Sequence, residues 1–166
     1  MFGLDDVNAI ESEQPIMQTW VDKVDHYSIE YPTHWTASSG VLSGERTVTA
    51  FVSPSRPSSS ISVVVTPIPA DFTRLTSFGD LNNYLIPRGE GVDTEVLSQS
   101  SKGESVTVEY VSMKHPENVK RHVVTVFALR PAESVLGLTA QALESDFSDD
   151  KARLDAAVKS FKIAID

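Results

Sequence analysis

A chain of 166 residues with 40% hydrophobic content is long enough for one globular core, since single domains run to roughly 100–150 residues. Its 14 Lys and Arg against 23 Asp and Glu leave a formal charge of −9, and the densest basic run, 114–121, is broken by Glu117, so neither nucleic-acid binding nor polybasic membrane attachment is expected. With no cysteine there is no disulfide framework, thiolate nucleophile or cysteine-based metal site, and no apolar run approaches the roughly 20 residues that cross a bilayer.

Residues 1–24 hold five acids and one base, with Pro15 breaking any long helix. The opening "MFGLDDVNAI" is acidic where a signal or transit peptide is basic, so any address is expected to have been removed. Short helical pieces are expected over 5–12 and 16–22. This polar arm, 1–24, precedes the domain, 25–166. Its scattered apolar residues Phe2, Leu4, Ile16, Met17 and Trp20 are candidate partner contacts, and the arm is either disordered or laid along a partner.

From His26 the pattern alternates: Tyr27, Ile29 and Tyr31 share one face of a strand, and Pro32 ends it because proline cannot donate to a ladder. Trp35 is expected to plug the edge of the core. "RTVTAFVSP" and "SSISVVVTPIP" read as two strands, joined by "PSRPSSS", whose composition favours a flexible surface loop. Ser77 with Asp80 three residues later resembles a capping box, and Phe78, Leu81 and Leu85 follow at helical spacing until Pro87, Gly89 and Gly91.

"EVLSQSS", "ESVTVEYVSM", "RHVVTVFALR" and "VLGLTAQAL" are further strands. The last helix is capped by Ser148, with Asp149 and Asp150 at the positive end of its dipole and Leu154, Val158 and Phe161 as its inward stripe. Hairpin-like order with one inserted and one closing helix predicts an α+β fold, an antiparallel β-sheet flanked by helices. There is no internal repeat.

The order of elements and the residues in it resemble the PsbP family of thylakoid-lumen proteins, including its cyanobacterial-type and PsbP-domain members. The resemblance rests on "WVDKVDHYSIEYPTHW", with Tyr27, Tyr31, Pro32 and Trp35, and then on "ISVVVTPIP", "TSFGDLNNYL", "SVTVEYVS", "RHVVTVFALR", "LGLTAQAL" and "AVKSFKI" in the family's order. It departs from the family around the last strand and helix, where a basic–Trp pair is replaced by "ESDFSDD". The resemblance implies an α-β-α sandwich of the PsbP and Mog1 kind, no established catalytic reaction, and a peripheral position in the thylakoid lumen. The implied partners are the lumenal sides of photosystem membrane subunits, photosystem II first and photosystem I as the alternative. A reading of another class is a soluble domain that binds a small GTPase, as the Ran-binding Mog1 proteins do.

If the strands at 121–130 and 135–143 form a hairpin centred near Glu133, His122 falls opposite Glu144. An imidazole facing a carboxylate either binds a divalent cation or makes a simple hydrogen bond. The family resemblance implies weak manganese binding at a His and an acid in these places, with calcium the other candidate and no cofactor required. Two ligands without a third make a weak site, and Asp146 is the candidate third. His26 and Glu30 are four apart on a strand, roughly 13 Å, and do not share an ion. His34, beside Trp35, is a candidate partner contact, and His115 is expected to be solvated.

The chain contains no nucleophile elbow, Walker loop, zinc-protease helix or Rossmann glycine pattern. "PRGEGVD" follows a helix instead of opening one, so it reads as a loop. The acidic run 144–150 lacks the glycine and closing Glu of an EF-hand loop. A hydrolase built on His122 is a third reading, with no nucleophile identified. The acidic chain is expected to dock on a basic or apolar surface.

Overall fold

The computed structural model describes residues 14–164. Ten strands form two antiparallel sheets. The small one orders β1 (Met17–Asp22), β2 (Tyr27–Pro32) and β10 (Lys162–Ile163) as β1-β2-β10. The large one contains β3 (Thr36–Val41), β4 (Thr47–Val52), β5 (Ser60–Pro67), β6 (Val92–Lys102), β7 (Ser105–Lys114), β8 (Val119–Arg130) and β9 (Ser134–Leu143), ordered β3-β4-β5-β9-β8-β7-β6. The neighbours β5 and β9 are far apart in the chain, so β6, β7 and β8 form a meander inserted between them.

Alternation along β5 and β9 decides which face is dry. Ile61, Val63, Leu136, Leu138 and Ala140 point to one side, where they meet Phe51, the small sheet's Tyr27, Ile29 and Tyr31, Trp35, and Leu154 and Ala157 of helix α2 (Phe147–Ser160). Trp35 is thus inside the main core. On the opposite face Val106, Val108, Tyr110, Val123 and Val135 form a second core, capped by Leu75 and Leu85 from the excursion between β5 and β6.

Several expectations are corrected. Residues 16–22 are mainly strand: six consecutive pairs with β2 put Trp20 beside Ile29, on the side facing Phe51, and tertiary pairing outweighs the weak helical signal. The arm set at 1–24 therefore contributes β1 to the folded unit. β3, missed because "TASSGV" carries no hydrophobic alternation, exists through pairing with β4. The helix expected from Ser77 is a 3-10 turn (Leu75–Phe78) and a single helical turn α1 (Asn82–Leu85), divided at Gly79 with φ +76°, and Asp80 Oδ1 accepts the Asn82 N–H at 3.0 Å. Helix α2 opens at Phe147 after Asp146, so Ser148 lies in its first turn and is not its cap. With one helix longer than a turn among the described residues, the fold is richer in sheet than a helix-flanked sandwich.

Candidate functional site

His122 points from β8 toward the α2 side of the sheet and is 6% exposed. It is held on three sides. Nδ1 stands 2.8 Å from Glu144 Oε2, Nε2 stands 2.7 Å from Glu109 Oε1, and the Phe147 ring lies parallel to the imidazole at 3.4 Å between centroids. Ionised carboxylates only accept, so both nitrogens donate when both acids are charged.

The expected pair meets, but by a different register. His122 is opposite Ala142, and the Glu144 N–H donates to Lys120 O at 2.9 Å. The turn is centred one residue earlier than expected, with Ala132 at φ +63° and the Glu133 N–H donating to Arg130 O. Moving the centre by one residue shifts the pairing by two, and a shift of two keeps the side-chain face, so Glu144 still reaches His122 on the diagonal. Glu109 was missed because β7 brings it in: Val111 is opposite His122, and Glu109 lies two residues along the same face.

The two acids engage opposite edges of the ring, so they do not converge on one point. Among the described residues no group of three or more His, Asp or Glu is arranged to hold a metal ion, and Asp146 is not a partner of His122. The donor set fits a hydrogen-bonded lock between β7, β8 and the start of α2, and does not fit a cation.

A second polar cluster was not anticipated. Asp150 is fully buried in the first turns of α2; Arg56 donates to both its oxygens, Nε to Oδ2 at 2.9 Å and an amino group to Oδ1 at 2.6 Å. The Ser59 hydroxyl donates to Oδ2, and Arg153 donates to Oδ1 at 3.3 Å. Burial pushes the Asp150 carboxyl up, but the hydrogen bonds from Arg56 and Ser59 and the charges of Arg56 and Arg153 outweigh it and hold the group below its ordinary value. The Ser/Pro segment, expected as a flexible loop, is in fact pinned to α2. The one visible signal was a lone Arg within "SPSRPSSS".

Of the expected contact residues, Phe2 and Leu4 lie outside the described residues. Ile16 is 79% exposed and His34 is exposed, whereas Met17 and Trp20 pack against the main core, Trp20 edge-on to Phe51 at 5.8 Å. His115 is exposed as expected, yet it is paired: Nε2 is 2.7 Å from Asp93 Oδ2, and that hydrogen bond, helped by one with Asn118, raises its pKa. At the far end of α2 a cleft of about 700 Å³ opens between Thr107, Val126 and Ala128 on the sheet and Val158, Phe161 and Ile163.

A sequence model of the PsbP family matches residues 16–163, from the start of β1 through β10. The chain belongs to the PsbP family. PsbP domain-containing protein 3 of Arabidopsis thaliana, a chloroplast protein, is 22% identical over 95% of this chain and 67% of its own length. The solution structure of cyanobacterial PsbP from Synechocystis superimposes with a TM-score of 0.64 at 19% identity, covering 89% of this chain and 92% of that one. A Bacteroides thetaiotaomicron crystal structure shares the fold more distantly, with a TM-score of 0.57 at 9% identity over 92% of this chain and 50% of its own. The PsbP match spans both sheets and α2, so the His122 lock and the Asp150 anchor are built inside the PsbP fold itself. No helix among the described residues is long and apolar enough to cross a membrane.

Proposed function

We propose that this PsbP-family chain is a non-catalytic peripheral protein of the thylakoid lumen that attaches to, or helps assemble, a photosystem, with photosystem II as the first partner. The observation that carries this reading is the family match across the whole folded unit, from β1 to β10. The chloroplast and cyanobacterial origin of its relatives supports it. His122 supports the non-catalytic part: both nitrogens are engaged by carboxylates and one ring face by Phe147, so the imidazole is committed to holding three elements together. Function then resides in docking surfaces that two rigid sheets hold in place.

The test is fractionation of photosynthetic membranes on a sucrose gradient, following this chain by mass spectrometry with both photosystems as markers. Migration with photosystem II is the expected result. Migration with photosystem I alone would transfer the role to that complex. A chain that stays at the top, with the soluble proteins, would sink the photosystem reading and favour a free binding domain.

A further inference from the structure

The large sheet has two outer strands, and they are built differently. β6 carries Asp93, Glu95 and Lys102 and slips register between Val96 and Ser98, so charge and a bulge both hinder a further strand from pairing with it. In β3 neither device is present. Its six residues, Thr36-Ala37-Ser38-Ser39-Gly40-Val41, are all exposed, hold no charge and no proline, and pair with β4 in unbroken register. Among the described residues nothing pairs with its outer side.

The neighbouring surface has the same character. β3, β4 and β5 together carry no ionisable side chain, in a chain whose formal charge is −9. Two copies of so acidic a protein repel wherever acids face acids, and these three strands present none, the acids beside them being Asp25, bound by Thr47, and Glu45 in the β3–β4 turn. The strand also ends in exposed apolar residues, Val41 at 77% and Leu42 at 39%, which gain by leaving water.

We propose that β3 is a self-association edge, pairing antiparallel with β3 of a second copy about a two-fold axis between Ser38 and Ser39. In that register Ser38 faces the partner's Ser39, Ala37 faces the partner's Gly40 and Thr36 faces the partner's Val41. Every facing pair is small and neutral, which is the self-complementarity that an isologous contact requires. The product is one continuous sheet running through both copies, with each Val41 covered by a threonine and the outer N–H and C=O groups of β3 satisfied. A single strand pair buries less than the roughly 1,200 Å² of stable interfaces, so the dimer forms as concentration rises.

Sedimentation equilibrium on the full chain over a wide concentration range tests this. The expected result is a rise from one-chain to two-chain mass, with the amides of β3 gaining protection from hydrogen exchange over the same range. Two double variants locate the edge: Ser38→Glu with Ser39→Glu, and Ser38→Lys with Ser39→Lys. These positions are exposed, so both variants are expected to melt as the parent does. Each alone should stay monomeric, because like charges meet across the axis, and an equal mixture should recover two-chain mass. The proposal is overturned if the parent is monomeric at every concentration, which would leave the edge to a strand of another protein or to residues 1–13. It is equally overturned if both variants still dimerise or if the mixture fails to, or if β3 amides gain no protection as the mass doubles.

Discussion

His122 and Asp150 are buried polar groups with charged partners among those they hold, Glu109 and Glu144 for the one and Arg56 for the other, and removing either takes a shared hydrogen-bond partner from them. For His122→Ala we expect a loss of about 2–4 kcal/mol in chemical denaturation, from the hole under Phe147 and from two acids deprived of a common donor. A chelator should leave the melting temperature of the parent chain unchanged; a clear drop would show that an ion, and not a hydrogen-bonded lock, holds the site. Asp150→Asn should cost about 2–3 kcal/mol near neutral pH, below the usual range for a broken buried pair because Arg56 keeps a third of its surface in water. The sign of its pH dependence follows from a folded pKa held under the ordinary 3.8. The stabilisation is complete above that ordinary value and disappears as pH falls through the depressed one. Denaturation between pH 7 and pH 2 should therefore show a steeper acid limb for the parent than for Asp150→Asn, and parallel curves would refute the anchor.

At the scale of elements, β1 is the piece whose role changed most between sequence and structure. Trimming 1–24 removes a six-pair ladder on β2 and the Trp20–Phe51 contact, so it should melt lower than trimming 1–13 alone. Trp20→Ala alone is expected to cost about 2–3 kcal/mol, a part of the full value for a buried aromatic because the indole is only partly covered. Equal melting of the two truncations would mean that β1 is dispensable. Most strands were legible from alternation, as in β2, β5, β7, β8 and β9, because each has one dry face and a period-2 pattern records it. β3 and β1 were not legible: an edge strand with both faces wet, or one with a mixed pattern, takes its conformation from the neighbour that pairs with it. The excursion at 75–85 misled in the opposite direction, since helical spacing in Phe78, Leu81 and Leu85 is present while Gly79 interrupts the backbone.

For the molecule as a whole, the acidic charge is the property most directly tied to docking. If attachment relies on a basic partner surface, raising salt should release the chain from membranes progressively, because exposed charges are screened within about 10 Å at 0.1 M salt. Binding that is indifferent to salt would point to an apolar contact instead, and exposed Ile16, the residue just before β1, is one to test there by Ile16→Asp.

The amino-acid sequence by itself determined the class of the protein: composition excluded cysteine chemistry, alternation placed most of the strands, and the ordered set of motifs pointed to the PsbP family. It also brought His122 and Glu144 together, since a hairpin turn misplaced by one residue moves the pairing by two and leaves both side chains on one face. Only the tertiary structure showed what surrounds that pair. Glu109 arrives from a third strand, and Arg56 meets Asp150 across 94 positions of chain, so neither contact leaves a local pattern to read. The physical reason is range: periodicity records which face of an element is dry, but which elements share that dry space is settled by packing the whole chain at once.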